Sequence, residues 1–178
     1  RAELLHAAGI RFEVGAADVD ERQHDGEDAE SYVRRLAEAK AASVAALHPG
    51  RPVLGADTTV VADGVVLGKP RDAADAAAML AQLSGRSHRV LTGVCLIGAD
   101  GRSGTAVATT TVEFRRLTDA EIDEYVASGE PMDKAGAYAI QGQARRFVTR
   151  IDGAFDNVVG LPMALIQAMC RSGGIQVS

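Results

Sequence analysis

The stretch Gly55-Ala56-Asp57-Thr58-Thr59-Val60-Val61 decides how this chain folds, because it is an apolar strand that carries a carboxylate. Its valines, together with Val53 and Leu54 just before it, favour a buried strand. Burying the Asp57 side chain costs roughly several kcal/mol unless the carboxylate meets a cation, a metal or several hydrogen-bond donors. A structural aspartate that caps the following turn is the alternative.

A cation follows about ten residues later, in a position that a hairpin would bring back toward the strand. Lys69 lies in Gly68-Lys69-Pro70, soon after Ala62-Asp63-Gly64-Val65, which is typical of a tight β-hairpin turn. A carboxylate inside a sheet with a lysine nearby suits metal-assisted chemistry on a phosphate.

Length and composition indicate a globular protein. The 178 residues, 47% of them apolar, fit a single domain over residues 1–178 or one domain with two lobes. No window approaches the roughly 18 apolar residues of a membrane span, so we expect no membrane partner. Two cysteines make no disulfide framework and favour a reducing cytoplasm. The chain begins at Arg1 without a signal-like stretch and reads as truncated or trimmed.

The charge balance limits the partners. A net charge of −5 argues against a general nucleic-acid binder, which would show a basic face. A nucleotide stays possible, because a small site needs only a few local cations. The chain has neither a Walker sequence nor Gly-x-Gly-x-x-Gly, so phosphate binding would depend on lysines, arginines and helix N-termini.

Helical and strand patterns alternate along the chain, with a second hairpin around Asp100-Gly101, which predicts an α/β fold with a mixed sheet. Thr118 and Glu121 form a capping-box pattern. The predicted helices are 1–8, 28–47, 72–83, 118–127 and 161–170, and the predicted strands, besides the hairpin that holds Asp57, are 11–14, 89–97, 105–114 and 146–151.

Two further polar residues interrupt well-patterned segments. Lys40 lies four residues after Leu36, in line with the apolar stripe of its helix, and either reaches a ligand or snorkels at the stripe edge. Gln141 lies in a glycine-rich turn and either reads a base edge with its amide or holds its own loop together. The four histidines have no metal-site spacing and read as structural or exposed.

Taken in order and spacing, several short motifs resemble the Maf family of nucleoside triphosphate pyrophosphatases over nearly the whole chain. The matching pieces are Val19-Asp20-Glu21, Leu36-Ala37-Glu38-Ala39-Lys40-Ala41, Gly55-Ala56-Asp57-Thr58, Gly68-Lys69-Pro70, Leu83-Ser84-Gly85, Glu130-Pro131-Met132-Asp133-Lys134-Ala135-Gly136-Ala137-Tyr138, Ile140-Gln141-Gly142 and Val159-Gly160-Leu161-Pro162.

The resemblance implies hydrolysis between the α- and β-phosphates of a nucleoside triphosphate, with Mg²⁺ or Mn²⁺ as the divalent metal cofactor. It implies that Asp57 is the proton acceptor for the attacking water or a metal ligand that orients it. Asp20 would be a second acidic group at the metal or the water. Lys40 and Lys69 would hold the phosphates and stabilise charge on the leaving pyrophosphate.

Within the family, the residues that follow Asp57 and Tyr138 resemble the subgroup that acts on dTTP and UTP. The resemblance implies that Thr58 and Gln141 select the base and that Lys134 contacts the substrate. Family members begin with a strand and a loop of the type Ser-x-Ser-Pro-Arg-Arg. Arg1 matches the last residue of that loop and is expected to bind substrate, while the strand and the rest of the loop are expected to be missing from this chain.

The same resemblance implies a largely antiparallel twisted sheet flanked by helices, with two lobes around a cleft as in inosine triphosphate pyrophosphatases, and a homodimer. Two other functions stay open at this point. One is removal of inosine-type triphosphates, which rests on the broader likeness of fold. The other is a non-catalytic role in septum formation during cell division, the effect from which the family takes its name.

Overall fold

The computed structural model describes residues 1–173, which form helices and strands. Three 3₁₀ turns, Glu130–Asp133, Ala135–Ala137 and Gln143–Phe147, lie between the fourth helix and the last strand. The elements are α1 Ala2–Ala7, α2 Ala29–Leu47, β1 Val53–Ala62, β2 Val65–Leu67, α3 Ala73–Leu83, β3 Ser87–Ile97, β4 Ser103–Phe114, α4 Asp119–Ala127, β5 Val148–Asp152, α5 Phe155–Val159 and α6 Met163–Gly173.

The five strands form one sheet in the order β2-β1-β3-β4-β5. Strand β1 pairs antiparallel with β2 around the predicted Asp63-Gly64 turn, with Ala62 opposite Val65. Strand β4 pairs antiparallel with β5 at the other edge. The predicted α/β class is confirmed, and these antiparallel pairs agree with the largely antiparallel sheet that the family resemblance implies. The strand predicted at residues 11–14 is wrong, because that segment has no regular structure.

Two helices begin at the caps that their sequences encode. The side chain of Asp28 accepts hydrogen bonds from the backbone nitrogens of Glu30 and Ser31 at the start of α2. Thr118 and Glu121 form the predicted capping box at the start of α4. These caps satisfy backbone donors that a helix leaves without partners at its first turn.

The described chain divides into two compact units, and the division cuts through β1, β3 and β4. The first unit comprises Arg1–Asp57, Thr92–Ala108 and the chain from Gly160 onward, and the second comprises Thr58–Leu91 and Thr109–Val159. A single domain over residues 1–178 stays a prediction. None of the described helices has both the length and the apolarity needed to cross a bilayer.

In the first unit, α2 lies directly on the sheet because glycines leave room for its backbone. A Cβ at Gly55 of β1 would lie 2.4 Å from the carbonyl oxygen of Ala37 and 2.7 Å from the backbone nitrogen of Ala41. A Cβ at Gly93 of β3 would lie 2.3 Å from the carbonyl oxygen of Val33. These close approaches fix the position of α2 over two strands.

The core of the second unit contains a set of aromatic side chains in edge-to-face contact. Phe114 lies between Tyr138, at 4.9 Å, and Phe147, at 6.0 Å, measured between ring centroids. Tyr125 packs against Phe147 at 5.3 Å. His88 joins this set, buried against Phe114, with its Nε2 2.8 Å from the hydroxyl of Tyr138. The interpretation of His88 as a structural histidine is confirmed.

Burial of His88 predicts a loss of stability in mild acid. Burial lowers the pKa of His88 from 6.5 to about 4. Its contribution to stability is therefore complete above pH 6.5 and is lost as the pH falls toward 4, because the unfolded chain takes up the proton first. The difference in the free energy of unfolding between the wild type and His88→Gln should therefore shrink by about 3 kcal/mol as the pH falls from 6.5 to about 4. Urea unfolding from pH 7.5 to 4.5 measures this difference.

The matched control is His24→Gln, since the His24 side chain is exposed in a loop. We expect the free energy of unfolding of this variant to stay within about 0.5 kcal/mol of the wild type at pH 7.5. A difference between the wild type and His88→Gln that does not change with pH would contradict the assignment of the acid-sensitive proton to His88.

Candidate functional site: an acid–lysine cluster

In the first unit, one lysine joins two carboxylates that are far apart in the sequence. The Lys40 ammonium lies 2.7 Å from Oδ1 of Asp57 and 2.6 Å from Oε1 of Glu21. Asp57 is buried, with only 7% of the residue exposed. The cation that the buried carboxylate requires is therefore Lys40, and the alternative of a turn-capping aspartate is not needed to explain its burial.

The packing of α2 brings Lys40 to this position. Four residues of the predicted apolar stripe of α2 are buried and face the interior: Val33, Leu36, Ala37 and Ala41. The prediction is wrong for Leu47, the last residue of the stripe, which is exposed. Asp57 and Gly55 lie two positions apart on β1, so their side-chain directions share one face of the strand. Because Gly55 admits the backbone of α2 at Ala37 and Ala41, the neighbouring Lys40 reaches the carboxylate of Asp57.

The two carboxylates keep Lys40 protonated. Burial alone would lower the pKa of Lys40, but hydrogen bonds to Asp57 and Glu21 outweigh this effect and raise it above its ordinary value. Lys40 therefore carries a fixed positive charge throughout the neutral pH range. A fixed charge of this kind can stabilise negative charge on a phosphate oxygen.

The loop that carries Glu21 is fastened to α2 by two side chains. The hydroxyl of Tyr32 donates a hydrogen bond to the carbonyl oxygen of Glu21 at 2.9 Å. Arg35 donates to the carbonyl oxygen of Arg22 at 3.0 Å and pairs with Glu27 at 2.6 Å. This hydrogen bond from Arg35 lowers the pKa of Glu27 to about 2. These contacts hold Glu21 beside Lys40.

Asp20 pairs with Arg22 and not with Lys40. Both carboxylate oxygens of Asp20 are bound by the guanidinium of Arg22, at 2.9, 3.0 and 2.6 Å, and the side chain is largely exposed. These hydrogen bonds hold the pKa of Asp20 well below its ordinary range. The partner of Lys40 from this loop is the next residue, Glu21.

Arg1 supplies a second cation to the same part of the first unit. Its Nε donates to the carbonyl oxygen of Gly160 at 2.7 Å, and its Nη1 donates to the carbonyl oxygen of Ala56 at 3.0 Å. The negative charges of Asp57 and Glu21 act on this guanidinium. Two cations and two carboxylates therefore form a cluster whose charges sum to zero. We refer to Arg1, Glu21, Lys40 and Asp57 as the acid–lysine cluster.

The other predicted site residues belong to the second unit. Thr58 is half-buried on β1, and Lys69 is exposed. The segment that carries Lys69 is tied to Gly136, whose nitrogen donates to the carbonyl oxygen of Gly68 at 3.0 Å. Lys134 forms an ion pair with Asp133, and the pKa of Asp133 is lowered chiefly by this hydrogen bond, with a smaller effect from Lys69. Lys69 and Lys134 thus lie in one neighbourhood.

The carboxylates of the acid–lysine cluster offer oxygen donors of the kind that hard cations prefer. Mg²⁺ usually binds through one or two carboxylates together with substrate phosphates. Asp57 and Glu21 fit that donor set, whereas the described residues contain no group of three or more His, Cys, Asp or Glu side chains placed to bind a metal by themselves.

Three residues of this region have no role predicted from the sequence: Glu21, Tyr32 and Arg35. Glu21 belongs to the same short motif as Asp20, so the motif alone does not say which carboxylate meets the lysine. Tyr32 and Arg35 lie one helical turn apart on α2 and face the acidic loop. An aromatic and a basic residue at this spacing, next to an acidic loop, are the signal by which they could have been found.

Comparison with known proteins identifies the family. Residues 1–172 match the family model described as Maf, Maf-like protein, and the chain belongs to this family. A protein named dTTP/UTP pyrophosphatase from Myxococcus xanthus is 53% identical over 98% of this chain and 88% of its own length. Proteins of the same name from Anaeromyxobacter dehalogenans and Koribacter versatilis are 53% and 50% identical, over 98% of this chain and 89% and 90% of their own lengths.

A more distant likeness concerns a solved structure. The crystal structure of a nucleoside-triphosphatase / dITP/XTP pyrophosphatase from Mycobacterium abscessus matches 65% of this chain and 67% of its own, with a TM-score of 0.39 and 22% identity.

Proposed function

We propose that this protein hydrolyses dTTP and UTP to the nucleoside monophosphate and pyrophosphate. The observation that carries the proposal is the buried Asp57 held by Lys40 beside Glu21. A buried carboxylate next to a fixed cation is a costly arrangement that folding stability alone does not require. Relatives about half identical over nearly the full chain, which are named for this activity, support the choice of reaction and substrate.

In the proposed reaction, a water molecule attacks the α-phosphorus, and the bond from this phosphorus to the oxygen that bridges to the β-phosphorus breaks. Pyrophosphate leaves with the electron pair of that bond, and the proton lost by the water passes to Asp57 or to solvent. Asp57 orients the water by accepting a hydrogen bond from it. Lys40 and Lys69 stabilise the negative charge that grows on the phosphate oxygens, and Arg1 and Lys134 bind the substrate.

We also propose a divalent cation, Mg²⁺ or Mn²⁺, as the cofactor. Asp57 and Glu21 would hold it, and it would neutralise charge on the non-bridging phosphate oxygens. The need follows from charge, because the acid–lysine cluster is neutral and a triphosphate brings several negative charges. Asp20, the carboxylate expected here from the motif, would first have to release Arg22.

Base selection is proposed to depend on Thr58 and Gln141. An amide both donates and accepts hydrogen bonds, and the edge of uracil or thymine presents a carbonyl oxygen next to an N–H group. A site that is built to bond such an edge discriminates strongly against a base that lacks the matching groups. Modified pyrimidine triphosphates with this edge unchanged are possible substrates on the same grounds.

The experiment that tests the proposal is pyrophosphate release from a panel of nucleotides by the purified protein. The panel contains dTTP, UTP, CTP, GTP, 7-methyl-GTP and ITP, each with Mg²⁺, with Mn²⁺ and with EDTA. We expect kcat/KM for dTTP and UTP to exceed the values for the other nucleotides by at least about tenfold, and EDTA to abolish release. Preference for ITP would instead support the inosine-type alternative, and no release from any nucleotide would refute the catalytic proposal.

The oligomeric state and the cellular location also follow from the family resemblance as proposals. We propose a cytoplasmic homodimer, which stays a prediction from the family resemblance. Sedimentation equilibrium of the purified protein would give its mass directly, to be compared with 18.5 kDa for one chain.

A further inference from the structure

Gln141 lies at the tip of a tight turn in the second unit. The backbone nitrogen of Gly142 donates to the carbonyl oxygen of Ala139 at 3.0 Å, which places Ile140 and Gln141 at the centre of the turn. Ile140 is buried in the apolar core, whereas Gln141 is exposed. The core thus fixes one side of the turn and leaves the amide of Gln141 directed outward.

A hydrogen-bonded chain of side chains holds this turn from both ends. The hydroxyl of Tyr125 accepts a hydrogen bond from the backbone nitrogen of Ala139 at 3.1 Å and donates one to Oε1 of Glu130 at 2.8 Å. The carboxylate of Glu130 accepts from the backbone nitrogen of Gln143 at 3.0 Å. Residues 139 and 143 lie two positions before and two positions after Gln141. We call Tyr125 and Glu130 the turn clamp.

The clamp joins a buried tyrosine hydroxyl to a carboxylate. Tyr125 is fully buried in α4, and its ring packs against Phe147 at 5.3 Å. Burial raises the pKa of Tyr125, and the Glu130 carboxylate raises it further, so the hydroxyl stays protonated and donates. A hydrogen bond from a neutral donor to a carboxylate is stronger than one between neutral groups.

Gly142 allows the carboxylate to lie directly against the turn. A Cβ at Gly142 would come within 2.2 Å of Oε1 and 2.5 Å of Cδ of Glu130. The backbone of Gly142 has φ −100°, which other residues also adopt, so the glycine is required for space and not for conformation. The close approach at Gly142 and the hydrogen bonds of the clamp are separate observations, and both show that the Glu130 carboxylate lies directly against the turn.

We propose that Tyr125 and Glu130 are positioning residues for base selection, which act by fixing where the amide of Gln141 meets the pyrimidine. This inference rests on the proposed function. Neither residue needs to touch the substrate, since their effect is carried by the backbone of Ala139 and Gln143. Such residues should change the discrimination between bases and the KM more than the kcat.

The test measures kcat and KM for UTP and CTP in variants of the clamp. For Glu130→Ala and Tyr125→Phe we expect kcat/KM for UTP to fall about tenfold, mainly through KM, with a change under about threefold for CTP. Glu130→Gln keeps an oxygen that can accept both hydrogen bonds and should recover most of the selectivity. Gly142→Ala keeps the side chains of Tyr125, Glu130 and Gln141 but pushes the Glu130 carboxylate away from the turn, and should resemble Glu130→Ala.

A double-mutant cycle separates positioning from a general loss of stability. In the background of Gln141→Ala, the further change Glu130→Ala should alter the ratio of UTP to CTP by less than about twofold, because the amide that it positions is gone. Glu124→Ala is the matched control, since Glu124 is an exposed residue of α4, the helix that holds Tyr125, and pairs with Arg146. We expect this control to retain the wild-type ratio.

The outcomes distinguish this inference from the proposed function. If the wild type hydrolyses neither dTTP nor UTP, the proposed function fails, and the inference fails with it. If the wild type is selective for UTP and the clamp variants keep that selectivity, the inference alone is overturned. An equal loss for UTP and CTP that tracks a lower melting temperature would also overturn it, in favour of a merely structural role.

Discussion

Asp57→Asn is expected to lower kcat/KM for dTTP by roughly 10²–10⁴-fold, the range that is typical for loss of a group that handles the proton of the attacking water. The amide still fits the space of the carboxylate and still accepts a hydrogen bond from Lys40, but it neither accepts a proton nor neutralises the lysine charge. The loss should appear in kcat, because the water is oriented only during the chemical step. Steady-state pyrophosphate release from dTTP and UTP measures both constants.

Asp63→Asn provides the matched control for this substitution. Asp63 lies in the hairpin turn that follows the same strand, is exposed and pairs with Arg86 at 2.7 Å. Its φ of 49° lies in the left-handed region, which asparagine tolerates well. We expect this variant to keep at least about half of the wild-type activity. Retention of wild-type kcat by Asp57→Asn, with the protein folded, would rule out Asp57 as the group that orients the water.

Helix α2 and the two hairpins could be predicted because their signals are local. The apolar spacing of α2, its cap at Asp28 and the Asp-Gly pairs at the hairpin turns each act within a few residues. The segment 11–14 shows the limit of this reasoning. A short alternating pattern becomes a strand only when another strand supplies hydrogen bonds, and no local pattern announces that partner.

The acid–lysine cluster could be predicted only in part, for a related reason. Asp57 and Lys40 are conspicuous because each is a charge in an apolar pattern. Their pairing depends on how α2 lies over β1, and 17 positions separate them in the sequence. The choice between Asp20 and Glu21 depends on a loop whose path is set by Tyr32 and Arg35. Loop paths of this kind follow from tertiary contacts, which a periodic pattern does not encode.

Gly55→Ala is expected to lower the melting temperature by roughly 5–10 °C, because the added methyl group would meet the backbone of α2. The Cβ would lie 2.4 Å from the carbonyl oxygen of Ala37, well inside contact distance, and the helix must move away. Overpacking of this type costs about 1–3 kcal/mol, and in a chain of this size each kcal/mol corresponds to about 2–4 °C. The displaced helix also draws Lys40 from Asp57, so the activity on dTTP should fall in the folded variant as well.

Two further variants decide whether the close approach of α2 is the cause. Gly104→Ala is the matched control, since Gly104 lies in β4 of the same unit and a Cβ there would meet nothing within 4 Å. We expect its melting temperature to stay within about 2 °C of the wild type. Adding Ala41→Gly to Gly55→Ala should restore little of the lost melting temperature. The two atoms nearest to the new Cβ are backbone atoms of Ala37 and Ala41, which remain when the Ala41 side chain is removed. Equal melting temperatures for Gly55→Ala and Gly104→Ala would show that α2 tolerates the extra methyl group and does not depend on Gly55 for its position over β1.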